Sequence, residues 1–232
     1  MSLHLNHDLD EARVSLLKLS GMVEDMIALA VKSLMQRQGV LASEVIRRDS
    51  DVDRAEVRIE EDCLKMLALH QPVAADLRRV TTMMKVNNDL ERMADLACNI
   101  AQRADSLCPH PEFPIPDGIN EMAGMVAKMV RSSLDAFVHN DANMARSVIL
   151  MDDPLDAMNV QVIGVLANAI KQDPSTVETA LHAFSASRHL EQIGDLAVSI
   201  AEDVIYMVDG VIIRHRQVFQ RDLAHDSSRP AP

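Results

Sequence analysis

The sequence predicts an all-α protein of two tandem three-helix bundles, six long antiparallel helices related by internal duplication. Three observations predict it. Apolar residues recur at alternating three- and four-residue spacings over long stretches. Turn formers are scarce, with 7 Gly and 9 Pro in 232 residues. A thirteen-residue motif of the first half returns 100 residues later in the second.

The elements follow in order. Helices are expected near 7–37, 41–69 and 73–107, then 117–139, 142–172 and 176–213. Between the third and fourth lies Cys108-Pro-His-Pro-Glu-Phe-Pro-Ile-Pro-Asp-Gly118, whose four prolines forbid a helix. It separates an expected first bundle, 1–108, from a second, 109–216. The remaining 217–232, ending Ser-Ser-Arg-Pro-Ala-Pro, is expected to be disordered. In the third helix Met83, Val86, Leu90, Met93, Ala97, Ile100, Ala104 and Leu107 form an unbroken seam. The fifth offers Val148, Met151, Leu155, Met158, Val162, Val165 and Ala169. The sixth offers Leu190, Ile193, Ala197, Ile200, Val204, Met207 and Val211. Such seams suit antiparallel bundles with coiled-coil-like packing.

The duplication is visible residue by residue. Asp89-Leu-Glu-Arg-Met-Ala-Asp-Leu-Ala-Cys-Asn-Ile-Ala101 aligns with His189-Leu-Glu-Gln-Ile-Gly-Asp-Leu-Ala-Val-Ser-Ile-Ala201, seven positions being identical. Ser33-Leu34 matches Ser133-Leu134 at the same offset of 100. Val45-Ile46, Asp49 and Asp53 match Val148-Ile149, Asp152 and Asp156 at 103. The three-residue change is placed in the connection before each third helix, where length varies cheaply.

Charge and composition exclude several functions. A net charge of −12, four Phe and one Tyr leave neither a basic footprint nor stacking platforms, so no nucleic-acid partner is expected. No apolar run reaches a membrane span and Met1 to Asp10 shows no leader, so a cytosolic location without membrane insertion is expected. Cys63, Cys98 and Cys108 have no metal-ligand spacing and read as reduced thiols. No Glu is followed by His three residues on, and no phosphate-binding Gly loop, zincin or nucleophile-elbow motif occurs. The protein is therefore expected not to be an enzyme.

The candidate site residues are paired carboxylates four apart: Asp49/Asp53 and Glu91/Asp95, then Asp152/Asp156 and Glu191/Asp195. Each pair shares one helix face and repels by a few tenths of a kcal/mol, about what a like-charged pair costs. A single pair is ordinarily a solvated face. Recurrence at matching places in both halves leaves a bridging hard metal open beside that reading. In the heptad frame of Leu90 and Met93, Glu91 and Asp95 point away from the seam, which puts any metal outside the bundle. Asp49-Ser-Asp51-Val-Asp53 with Glu60 imitates a calcium loop, but Arg54 stands where the turn needs Gly. Pro154 spoils the equivalent in the second half and marks a kink in an otherwise continuous helix. A basic row of Arg78, Lys85 and Arg92 is read as ion pairing, Lys85 with Asp89 and Asp89 with Arg92; anion or partner binding is the alternative. Asn99 lies near enough to Asp95 to support a metal.

On these residues the chain resembles the PhoU family of bacterial phosphate-uptake regulators. Gln71-Pro-Val-Ala-Ala-Asp-Leu-Arg78, Asp89-Leu-Glu-Arg-Met-Ala-Asp95 and Ala201-Glu-Asp-Val-Ile-Tyr206, with Gly210 and Arg214-His215, carry the resemblance. It implies two three-helix bundles and metal binding by the eight carboxylates, with iron, zinc, manganese or magnesium all open. It implies a homodimeric adaptor between the phosphate ABC transporter and a sensor histidine kinase, a negative regulator when phosphate is ample, peripheral to the inner membrane through its partners. Two departures, Gln192 for the usual Arg and Ser199 for Asn99, lower the affinity expected of the second site. The rivals are a metal-dependent phosphohydrolase and a purely structural helical module.

Overall fold

The computed structural model describes residues 3–213, and the expected disordered tail with Arg214 and His215 lies outside them. The chain is all-α, as predicted: α1 (Leu3–Gln36), α2 (Gly39–His70), α3 (Ala74–Leu107), α4 (Asp117–His139), α5 (Ala142–Ile149), α6 (Asp152–Gln172) and α7 (Val177–Asp209). A 3-10 turn, Pro174–Thr176, precedes α7. The 34 residues of α3 span about 51 Å at 1.5 Å per residue. Helices α1, α2 and α3 pack on one another as the first bundle; α4, the α5–α6 rod and α7 form the second. The bundles meet along α3 against α7 and α1 against α4.

The predicted fifth rod is broken at Leu150 and Met151. Pro154 has no N–H to give to the carbonyl of Leu150, and its ring would clash there. The break therefore falls one turn before the proline, which becomes a first-turn residue of α6. The new helix starts with its own phase. Val165, predicted for the seam, is 55% exposed, and Leu166 is buried in its place. Val211 likewise lies past the end of α7, which Gly210 terminates at φ +71° with its N–H on the carbonyl of Tyr206. The α3 seam is buried at every predicted position.

Matching turns open the second rod of each bundle. Arg37 and Asn140 both take left-handed φ of 52°. Asp141 then caps α5 by accepting from the backbone N–H of Asn143 and Met144. Arg37 adds a clamp. Its guanidinium donates to the carbonyls of Leu107, His110 and Phe113, holding the start of the proline-rich linker against the first bundle.

Burial fixes the register of the duplication. Leu16, Leu19, Val23, Met26, Ile27 and Leu34 of α1 are buried, and so are Ile119, Met122, Val126, Met129, Val130 and Phe137 of α4, each 103 positions on. The α2 core residues Val45, Val52, Ile59 and Cys63 map at 103 onto Val148, Leu155, Val162 and Leu166. In the third helices the offset becomes 100: Val86, Leu90, Met93 and Ala97 map onto Ala186, Leu190, Ile193 and Ala197. The Ser33-Leu34 match at offset 100 is thus a coincidence of sequence; Ser33 occupies the place of Ala136. A three-residue slip rotates a helix by only about 60° short of a full turn, so nearly the same face reappears. The three residues missing from the second half are not taken from the connection, which is 71–73 before α3 and 173–176 before α7; they come chiefly off the start of α7, whose first turn is replaced by the 3-10 turn.

Helices α3 and α7 run antiparallel. Arg78 donates to the carbonyl of Met207 and Thr82 to that of Asp203. Lys85 Nζ reaches Asp203 Oδ1 at 3.0 Å and lies 5.6 Å from the Tyr206 ring centroid. The lysine predicted to serve Asp89 on its own helix thus reaches across to α7. Asp203 is 2% exposed, and a carboxylate so buried is strongly destabilising without a cation beside it. The predicted Asp89–Arg92 pair is present at 3.8 Å.

Candidate metal-binding sites on the two bundles

Each bundle sets one acidic ladder of its second rod against one of its third. On α2, Asp49, Asp53 and Glu56 recur at four and three residues and share a face. On α3, Asn87, Glu91, Asp95 and Asn99 rise in steps of four. The two helices run antiparallel: the Asn87 amide donates at 2.9 Å to both the carbonyl and Oε1 of Glu56, and the Cys98 thiol points to the carbonyl of Val45. Asp49 and Asp53 therefore face Glu91 and Asp95. Asp49 and Glu91 are half-buried, while Asp53 and Asp95 are exposed, so the cluster opens outward.

The carboxylates feel one another. Glu91 is held above the usual carboxylate range by loss of solvent, then by Asp95, Glu56, Asp53 and Asp49. Asp95 is raised by loss of solvent, then by Asp49 and Asp53. Burial, with Asp49 beside it, pushes the Cys98 thiol up to about 12.

The second site repeats this on α6 and α7. Asp152 and Asp156 face Glu191 and Asp195, and the helix break places Asp152 at the first residue of α6. Asp152 is raised by loss of solvent, then by Asp156, Asp153 and Glu191. Asp195, though partly open to water, is pushed up to about 6 by loss of solvent, then by Glu191, Asp152 and Asp156, against a lowering pull from Arg188. Arg188 donates to Glu191 Oε1 at 2.9 Å. Glu191 Oε2 and Asp152 Oδ1 are buried without a hydrogen-bond partner.

Both sets of four predicted carboxylates thus come together across a helix pair. The side chains do not converge on one point: among the described residues, no three His, Cys, Asp or Glu close into a group that could hold a metal ion as they stand. Two things relieve such a cluster, a bound proton or a hard cation. The partnerless oxygens of Asp152 and Glu191 are the donors a cation would take, so the residues fit one.

The supporting residues divide differently. Arg78 and Lys85 serve the contact between bundles, not the acidic site. Arg92 leans on Asp89, and Asn99 is half-buried on the site's own ridge. Glu56 and Arg188 were not among the predicted residues. Glu56 was detectable as the i+3 neighbour of Asp53, and Arg188 as the i−3 neighbour of Glu191. Among the described residues no helix is long and apolar enough to cross a membrane.

A family model described as the PhoU domain matches twice, over residues 16–104 and 119–204. Its starts differ by 103 and its ends by 100, the same two offsets the buried cores give. The phosphate-specific transport system accessory protein PhoU homolog of Aquifex aeolicus is 36% identical over 214 residues, 92% of this chain and 97% of that protein. The protein of the same description from Pseudomonas aeruginosa is 37% identical over 216 residues, 93% of this chain and 89% of its own length. The crystal structure of PhoU from Pseudomonas aeruginosa superposes with a TM-score of 0.85, covering 89% of this chain and 99% of that one.

Proposed function

Because the chain belongs to the PhoU family, we propose that it is a non-enzymatic accessory regulator of a phosphate-specific transport system. The observation that carries this is the end-to-end match, both copies of the domain being present and the accessory proteins being covered over nearly their full length. It would act as an adaptor between the ATPase subunit of the phosphate ABC transporter and a sensor histidine kinase, restraining uptake and kinase output when phosphate is ample. The long faces of α1 to α7 offer the partner surfaces, and a homodimer is the expected assembly. Its place is the cytoplasm, at the inner membrane through those partners.

The acidic sites would hold divalent or trivalent metal, iron, zinc, manganese or magnesium, through Asp49, Asp53, Glu91 and Asp95 and through Asp152, Asp156, Glu191 and Asp195. Bound metal would supply positive charge, tying the second rod to the third and relieving the repulsion between the carboxylates. Asn87 orients Glu56 at the first site; Arg188 neutralises part of Glu191 at the second. The test is deletion of the gene in its host. Alkaline phosphatase output in phosphate-rich medium should rise, and unchanged output would reject the regulatory role.

A further inference from the structure

We propose that Asn159 is a further ligand side chain of the second acidic site, standing where Glu56 stands in the first, and that this exchange makes the two sites unequal in the cations they hold. The inference rests on the metal-binding reading above. At the offset of 103 that burial establishes for the second rods, Glu56 corresponds to Asn159. On α6, Asn159 follows Asp152 and Asp156 by seven and three residues, on one face. In the first bundle this position belongs to the site, since Glu56 raises Glu91 electrostatically and receives the Asn87 amide.

Asn159 is 3% exposed, and its Oδ1 has no hydrogen-bond partner. Leaving a buried amide oxygen unpaired costs about 1–3 kcal/mol, so such atoms are rare without a reason. The neighbouring position does not repair it. Ser187, the counterpart of Asn87, turns its hydroxyl back to the carbonyl of Phe184 at 2.9 Å. Asp152, Asn159 and Glu191 each carry a buried oxygen without a partner, and the place of Glu56 in the first bundle assigns the Asn159 oxygen to the same site as the other two. Amide and carboxylate oxygens are the donors hard cations take.

The ligand charges then differ. The first site has five carboxylates, Asp49, Asp53, Glu56, Glu91 and Asp95. The second has four and an amide on its facing ladders, with Asp153 adjoining Asp152 in sequence and the Arg188 guanidinium on Glu191. Ligand charge sets affinity for hard cations. The first site takes the greater cationic charge, a trivalent ion or more than one divalent ion; the second takes a single divalent ion more weakly.

The test uses the full chain stripped of metal and titrated with Mn2+, followed by the loss of free Mn2+ signal in electron paramagnetic resonance. Glu91→Gln with Asp95→Asn isolates the second site; Glu191→Gln with Asp195→Asn isolates the first. In the first background, Asn159→Leu should weaken binding by about ten-fold or more, and Asn159→Glu should tighten it by a similar factor, the range for perturbing a metal's supporting groups. Glu56→Asn should weaken the isolated first site. Should Asn159→Leu fail to fold, Asn159→Ser makes the same comparison. A packing role alone would change melting without metal and leave the Mn2+ affinities alone. Affinity unmoved by every Asn159 variant, or equal affinity at the two isolated sites, overturns the inference while metal binding stands. No Mn2+ uptake by the unsubstituted chain overturns the metal-binding reading itself.

Discussion

Adding one methyl group at Gly194 should destabilise the protein, and removing one methylene at Leu155 should reverse the sign of that effect. A Cβ on Gly194 would lie 2.2 Å from Leu155 Cδ2, where carbon contacts settle near 3.5–4.0 Å. Leu155 is fully buried and cannot swing into solvent. In the first bundle the equivalent pair is Ala94 and Val52, both fully buried. Alanine with valine and glycine with leucine fill the same volume, so one space is divided two ways. Overpacking of this kind costs about 1–3 kcal/mol, against about 1 kcal/mol gained by Ala over Gly inside a helix. Gly194→Ala alone should lose roughly 0–2 kcal/mol by these figures. Leu155→Val alone should lose on the order of 1 kcal/mol for the deleted methylene. In that background Gly194→Ala should gain about 1 kcal/mol, because only the helix preference remains. Urea unfolding of the four proteins closes the cycle, with a coupling of about 1–3 kcal/mol. Additivity within about 0.5 kcal/mol would refute the shared-space account.

Asp195→Asn should raise the melting temperature of metal-free protein at pH 7. The Asp195 carboxyl titrates near 6 in the fold against 3.8 in the free side chain, so the folded state binds the extra proton between those values. Stability then falls as pH rises through about 4 to 6 and stays reduced above. The advantage of the Asn variant should vanish near pH 4 in melting scans, and a gap independent of pH would refute it. Lys85→Met deprives the buried Asp203 carboxylate of its ammonium and should cost about 1.5–3 kcal/mol, the worth of a charged hydrogen bond. Adding Asp203→Asn should recover part of that loss in denaturant melts, and no recovery would mean the pair does not join the bundles.

Much of this protein is written in local spacing. The α3 seam from Met83 to Leu107, the proline-rich divider and the returning Glu191-x-x-x-Asp195 motif are relations between residues three, four or a hundred apart. An amphipathic helix needs no more, because its buried stripe is set by its own neighbours. The eight carboxylates were legible for the same reason, each pair being a step along one helix. Pro154 signalled a defect, but the break at Leu150 follows from the carbonyl the proline cannot serve. The sequence by itself determined six amphipathic rods, their duplication and the acidic ladders they carry. Tertiary structure alone decided that Lys85 meets Asp203, that Arg37 clamps the linker, that the first rod repeats at 103, and that Glu56 joins the first acidic site. Those contacts depend on the relative phase and antiparallel alignment of separate helices, and no spacing within one helix encodes either.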